Sequence, residues 1–219
     1  HDWGWFDVAQ SWLDEEEEEG VAALVLLLVA EAEKDVGRVH AVVLPEFALD
    51  LKNYCSLVDI LRDETEVEFL VAGSSQDLMG QQGNFVLTAT FHDRDGLRCA
   101  VSHARAKHHR WRLDGRQIRE YGLASALDPH RLWWENVTLP SREVGQTVFR
   151  ESSVFSAMVC EDLARSEPCH AALRSLGPNL VFVLLMDGPQ VAQRWPARYA
   201  TTLADDPGSS VLTLTSLGL

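Results

Sequence analysis

Positive charge is scarce in this sequence. The 219 residues include 19 Lys and Arg against 33 Asp and Glu, which gives a formal net charge of −14 at pH 7. Direct binding of nucleic acid requires a basic surface that contacts the phosphates, and the locally basic stretch at residues 103–119 is mixed with apolar side chains. We therefore expect this chain not to bind nucleic acid directly.

Cysteine is also scarce, and the four that occur share no short spacing: Cys55, Cys99, Cys160 and Cys169. Without a CxxC pair, the sequence predicts neither a zinc site nor a redox motif, and no cofactor is expected. We expect no signal peptide, and the apolar run at residues 21–30 is too short to span a bilayer. These features favour a reduced, cytoplasmic setting without membrane attachment.

What is present suits one α/β domain over residues 1–219, with 46% hydrophobic and 24% charged residues. Residues 14–19 are acidic and read as a solvated first helical turn, residues 1–13 have no clear period, and residues 117–140 are rich in loops. Periodicity predicts helices over 21–34, 49–63, 171–176 and 193–204. Strands are predicted over 40–44, 68–73, 84–91, 97–102, 155–159, 179–186 and 209–215. Helices alternate with continuous apolar strands, so we expect sheets covered by helices.

The stretch FSAMVCEDLAR ends a buried strand on Cys160 and turns acidic at once. A strand-to-helix turn exposes one side chain at a sheet edge beside free backbone N–H groups, which is a good position for a nucleophile. The alternative is a small buried residue, because free cysteines are among the most buried side chains. If Cys160 is a nucleophile, we expect it to be alkylated faster than the other three cysteines.

Two more ionisable residues follow predicted strands. Glu46 comes directly after HAVVLP, and Lys107 follows the second strand of the predicted hairpin. Each has a simpler interpretation, a helix cap or salt-bridge partner for Glu46 and a surface lysine for Lys107.

Glutamate, lysine and cysteine in this order resemble the nitrilase, or carbon–nitrogen hydrolase, superfamily. The matching stretches are VVLPEF around Glu46, AKHHRW around Lys107 and MVCED around Cys160, with further support from NLVFVLLMDG and RWPARYATTLAD. The resemblance extends from about residue 21 to the end of the chain. The family's opening strand is not evident before Asp14, and the segment that usually follows its last strand is missing.

The resemblance implies an αββα four-layer sandwich whose cysteine attacks an amide, carbamoyl or nitrile carbon of a small molecule and forms a thioester. Glu46 would be the general base and then the acid, and Lys107 would stabilise the oxyanion. A second, substrate-positioning glutamate would be Glu135, with Glu120 as the alternative. Glu161 is a further candidate for positioning the substrate.

Histidines at positions 103, 108 and 109 raise the question of a metal site, such as a zinc-binding module. No acid or cysteine stands nearby in sequence at ligand spacing, so we expect no metal there.

The chain begins at His1 without a methionine and ends on the strand-like VLTLTSLGL, so we expect a segment of a longer polypeptide. Its resemblance extends to nitrilase-like domains of large bacterial proteins, some attached to reverse transcriptases in antiviral defence. An alternative function is therefore a scaffold for interaction or oligomerisation. The resemblance implies a homodimer or higher oligomer through residues 163–176 and 193–204, where Trp195, Tyr199 and Leu203 form one stripe. The stripe could equally pack on its own sheet.

Overall fold

Two four-stranded sheets lie face to face at the centre of the molecule. The computed structural model describes residues 2–13, 20–139, 142–188 and 195–216. In spatial order, with strands numbered along the chain, the first sheet contains β2 (Ala41–Leu49), β3 (Phe69–Gln76), β4 (Gln82–Arg94) and β5 (Leu97–Ala106). The second contains β11 (Ser210–Thr215), β10 (Leu180–Leu185), β9 (Ser153–Val159) and β8 (Thr147–Arg150).

Helices cover the outer face of each sheet. The first sheet packs against α1 (Gly20–Val36) and α2 (Leu51–Glu64), and the second against α4 (Glu161–Ala164), α5 (Ala171–Leu176) and α6 (Trp195–Asp205). The period of two in β3 explains the layering, because Phe69 and Val71 face the second sheet while Leu70 and Ala72 face the helices. The ring of Phe69 stacks on Phe155 of β9 at 4.6 Å between centroids. The predicted αββα four-layer sandwich is confirmed.

A third, small sheet was not predicted. It contains β1 (Trp3–Phe6), β7 (Leu132–Glu135) and β6 (Arg112–Leu113), and α3 (Gly115–Glu120) follows β6. The expectation of loop over residues 117–140 is therefore wrong for β7. These strands are only two to four residues long, and β1 pairs with β7 across more than a hundred residues of chain, so local periodicity does not reveal them.

The other predicted elements lie close to those observed. The hairpin β4–β5 turns at Asp95-Gly96, where both residues have positive φ, as a tight two-residue turn requires. Helices α1 and α5 cover the predicted segments, and α2 begins two residues later than predicted because Leu49 ends β2 and Asp50 caps the helix. Parts of some predictions fall outside the described residues: the acidic run at 14–19, Pro140, residues 193–194 and the last three residues. No helix within the described parts of the chain is long and apolar enough to cross a membrane.

The stripe on α6 packs inward where its side chains are described. Leu203 is buried in the core of the second sheet, and the Tyr199 ring lies against that core with its centroid 5.7 Å from His170. The two described side chains of the stripe thus pack on the protein's own sheet, which was one of its two interpretations.

Candidate active site

Glu46 lies in a bulge of β2. The parallel register of β2 with β3 runs from Ala41 to Leu44 and is shifted by the time it resumes at Leu49. Within the bulge, Phe47 has φ 57°, a conformation rarely adopted by an aromatic residue. Gly73 of β3 passes so close that a Cβ there would lie 2.4 Å from the Pro45 carbonyl oxygen. The bulge aims the Glu46 carboxylate into the interior, where it is buried.

Lys107 follows β5 directly and reaches the same point. Its backbone N–H donates to the Asn84 carbonyl at 2.8 Å, which fixes the chain as it leaves the sheet. Its ammonium group donates to Glu46 Oε1 at 2.9 Å and to Glu135 Oε2 at 2.7 Å. Its side chain is only 1% exposed, so Lys107 is not the surface lysine that its position in a basic loop suggests.

Glu135 is the glutamate that reaches this lysine. It ends β7 in the small third sheet, its backbone N–H donates to the Trp111 carbonyl at 2.9 Å, and its Oε2 accepts the Trp111 backbone N–H at 2.9 Å. Glu120, the alternative second glutamate, is exposed at the end of α3 and borders the pocket that also contains Cys160.

Asn84 completes the cluster, and the sequence analysis missed it. Its Nδ2 donates to Glu46 Oε1 and to Glu135 Oε1, each at 2.7 Å, so one amide bridges two carboxylates. The side chain is buried at the start of β4. A polar residue at the edge of a predicted strand carries no distinctive signal, so only the three-dimensional contacts identify it.

Cys160 occupies a sharp turn between β9 and α4. Its backbone has φ 43° and ψ −110°, a sparsely populated conformation for a residue with a side chain, and its N–H donates to the Leu184 carbonyl at 2.8 Å. The thiol borders a cavity of about 200 Å³, here called the polar pocket, which also includes Arg116, Glu120 and Asp187. Glu161 lies on the same pocket and pairs with Arg165 at 3.4 Å.

Burial and charge set the protonation states of this site. Burial raises the pKa of the Glu46 carboxyl, with the Lys107 charge opposing the shift. Burial alone would lower the pKa of Lys107, but the charges of Glu46 and Glu135 outweigh it and hold that pKa well above its ordinary value. Burial and the Glu46 charge raise the pKa of the Cys160 thiol well above its ordinary value, with Lys107 opposing. At neutral pH the site therefore holds an ammonium group on Lys107 and a neutral thiol on Cys160.

Asp162 ties the cysteine turn to the lysine segment. Its Oδ1 accepts the backbone N–H groups of His108 at 2.9 Å and His109 at 3.2 Å, and its Oδ2 accepts from Arg105 at 3.1 Å. Burial would raise the pKa of this carboxyl, but the His109 hydrogen bond and the Arg105 charge lower it. Asp162 is thus an ionised anchor two residues beyond Cys160.

Of the three candidate metal-binding histidines, His108 and His109 lie near each other, with ring centroids 6.2 Å apart, and His103 lies apart from them. His103 is exposed on β5, whereas His108 is buried with Asp162 and Cys169, and the ligand atoms of these three residues lie within 4.8 Å of one another. Arg105 donates to His108 Nε2 at 3.0 Å as well as to Asp162, so a fixed cation already occupies the surroundings that a metal ion would need. The arrangement does not favour a metal site.

Exposure does not favour preferential alkylation of Cys160. Cys55 and Cys99 are exposed, whereas Cys160 and Cys169 are buried. Burial together with the nearby Asp162 raises the pKa of Cys169 to about 12, so that thiol is inert. A small reagent meets Cys55 and Cys99 first, and the expected order of labelling does not follow from this structure.

Comparison with known proteins identifies the fold. No protein-family model and no curated protein matches this sequence. Among solved structures, an amidase of the nitrilase superfamily from Nesterenkonia is similar with a TM-score of 0.55 and 12% identity, covering 91% of this chain and 71% of the amidase. Nit3 from Saccharomyces cerevisiae, a nitrilase-superfamily member of branch 10, is similar with a TM-score of 0.55 and 11% identity over 93% of this chain and 73% of Nit3. The chain has the nitrilase-superfamily fold.

A third similar structure is the glutamine-dependent NAD+ synthetase from Acinetobacter baumannii, with a TM-score of 0.51 and 15% identity. This chain is covered to 86% and spans only 33% of the synthetase. At such identities the likeness concerns the fold, and the chemistry of the site rests on the contacts described above.

Proposed function

We propose that this chain is a carbon–nitrogen hydrolase domain in which Cys160 attacks an amide, carbamoyl or nitrile carbon. The observation that carries this proposal is the buried cluster of Glu46, Lys107, Glu135 and Asn84, which interacts electrostatically with a cysteine in a strained turn. Burying three charged groups is costly, and perturbed ionisable groups beside a pocket are typical of catalytic sites.

In the first step, the neutral thiol needs a base. Glu46 accepts the Cys160 proton while the sulfur bonds to the substrate carbon, and this carboxylate's raised pKa makes it a stronger base than an exposed glutamate. The negative charge that forms on the substrate oxygen is stabilised by the Lys107 ammonium and the backbone N–H of Glu161. Glu135 and Asn84 hold the lysine and Glu46 in place.

In the second step, Glu46 returns its proton to the leaving nitrogen, and an amide substrate releases ammonia or an amine. The product from an amide is a thioester on Cys160. A nitrile first gives a thioimidate, which takes up one water and loses ammonia to reach the same thioester. Water then attacks the thioester carbon, again giving a proton to Glu46, and the carboxylic acid leaves as the thiol is reprotonated. Glu161, at the pocket rim, contributes to substrate positioning.

Intact-protein mass spectrometry tests this proposal. A protein carrying Cys55→Ser and Cys99→Ser, which removes the two exposed thiols, is incubated with panels of primary amides, N-carbamoyl compounds and nitriles. We expect an acyl adduct located at Cys160 and release of ammonia, both abolished by Cys160→Ala and retained in the matched variant Cys169→Ala. Ammonia release that survives Cys160→Ala, or a folded protein inert toward all three panels, would refute it.

The alternative function is a nitrilase-like scaffold for interaction or oligomerisation within a larger protein, such as a reverse transcriptase fusion in antiviral defence. The likeness to one third of the synthetase chain favours this alternative, because the fold there accounts for only part of a longer polypeptide. A scaffold needs neither the buried charges nor a nucleophile, so Cys160→Ala would leave its cellular role intact. In either case we propose a cytoplasmic homo-oligomer that binds no nucleic acid itself.

A further inference from the structure

A second cavity adjoins the polar pocket. It has a volume of about 600 Å³, within the range of cavities that hold small organic ligands, and we call it the apolar chamber. Its walls are predominantly aliphatic and aromatic, and they include Leu123 and Leu127 beside the short helical turn that follows α3.

The two cavities share a wall and divide the catalytic groups between them. Trp111, Tyr121 and Met186 border both cavities. Cys160 borders only the polar pocket, whereas Glu46 borders only the apolar chamber. A substrate whose carbon is attacked by Cys160 and whose nitrogen is protonated by Glu46 therefore lies where the two cavities adjoin, and the chamber is the larger space beside it.

We infer that the apolar chamber binds the hydrocarbon part of the substrate, so that the domain acts on primary amides of medium-length aliphatic acids rather than on small polar amides. This inference rests on the proposed function. The chamber is much larger than the polar pocket and mostly apolar, which suits an acyl chain. The polar pocket, lined by Arg116 and three carboxylates beside Cys160, suits the entry of the water that hydrolyses the thioester.

Binding to the inactive Cys160→Ala protein tests the chamber independently of turnover. Acetamide, butanamide, hexanamide and octanamide are titrated while the fluorescence of the tryptophans is followed, since Trp12 and Trp111 line the chamber. Each methylene that moves from water into the chamber should strengthen binding about fourfold until the cavity is full. Affinity that does not change with chain length would overturn the inference.

The second test of this inference places a charge in the apolar chamber. In the Cys160→Ala background, Leu127→Asp should weaken octanamide binding at least tenfold and leave acetamide unchanged. The matched control is Leu28→Asp on the exposed face of α1, which should bind octanamide as its parent does. Equal losses in both variants would contradict the placement. If Leu127→Asp does not fold, the chain-length series still decides.

Turnover by the wild-type protein separates this inference from the proposed function. Chain-length-dependent binding without ammonia release or an adduct would leave the chamber in place and refute the hydrolase. Ammonia release from acetamide and octanamide at equal kcat/KM, without a gradient in affinity, would support the hydrolase and refute the chamber.

Discussion

One lysine balances two carboxylates at the centre of the site. Glu46 and Glu135 both contact Lys107, and all three side chains are at most 2% exposed. The cluster therefore carries a net charge of about −1 in a place where an uncompensated charge is costly. The consequence is an asymmetry, because removing one carboxylate leaves a balanced pair whereas removing the lysine leaves two like charges.

This asymmetry predicts very different effects on stability from two variants that both abolish activity. Lys107→Met should lower the free energy of unfolding by about 3–5 kcal/mol, the usual cost of stripping a buried charge of its partner. Glu46→Gln should change it by less than about 1 kcal/mol, because the Lys107–Glu135 pair and the Asn84 contact remain available. Urea unfolding at pH 7 measures both. The control Lys34→Met removes an exposed pair with Glu31 and should have little effect.

The same cluster predicts a pH dependence. Because the Glu46 pKa is raised in the folded protein, the folded state binds that proton more tightly than the unfolded chain does, and stability from this group falls as pH rises above about 4.5. In Lys107→Met the cation that opposes the raised Glu46 pKa is gone, so this buried carboxyl is protonated more readily at low pH. The loss of unfolding free energy in Lys107→Met, relative to the wild type, should therefore be smaller at pH 5 than at pH 8. A loss that does not change with pH would count against the explanation by buried charge.

At the scale of elements, the bulge in β2 is the feature on which the site depends. Gly73 of the neighbouring strand has its Cα so near Pro45 and Glu46 that a methyl group would meet backbone atoms on both. Backbone cannot swing aside as a flexible side chain can. The bulge, and with it the Glu46 carboxylate, would have to move.

We expect Gly73→Ala to lower the free energy of unfolding by about 1–3 kcal/mol, the range for overpacking, and to reduce amide hydrolysis more than a hundredfold. Denaturation and ammonia release measured on one preparation give both numbers. The control is Gly145→Ala, where an added Cβ meets nothing within 4 Å and both properties should be unchanged. Wild-type activity in Gly73→Ala would show that the close approach does not position Glu46.

Elements with a strong local pattern could be predicted from sequence, and those held by distant pairing could not. The strand before Cys160 is recognisable because apolar residues stop abruptly at an acidic turn, and the helix Leu51–Glu64 because its apolar residues repeat. Strand β7, which delivers Glu135, is four residues long and pairs with Trp3–Phe6. Asn84 likewise has a recognisable role only through its contacts with two glutamates that are distant in sequence. A local sequence pattern does not reveal such contacts.

At the scale of the whole molecule, the exposed apolar side chains of the outer helices are the candidates for contact with a second copy. Helix α6 exposes less apolar surface than its sequence suggests, because Tyr199 packs on the core and Leu203 is buried. The segment at 163–176 still presents Leu176, which is 49% exposed. On the opposite outer layer, α1 exposes Leu24, Leu27 and Leu28.

We propose that the chain forms a two-fold homodimer through the helical layer beside Cys160, burying more than about 1,000 Å² in total. Light scattering at micromolar concentration should give twice the chain mass. Leu176→Glu places a charge in that interface and should give the monomer mass, whereas Leu27→Glu on α1 should remain a dimer, because α1 covers the other sheet. A monomeric wild-type protein would rule out the dimer. Dissociation by Leu27→Glu alone would place the interface on α1, because a carboxylate without a counter-charge is costly where a second copy buries it.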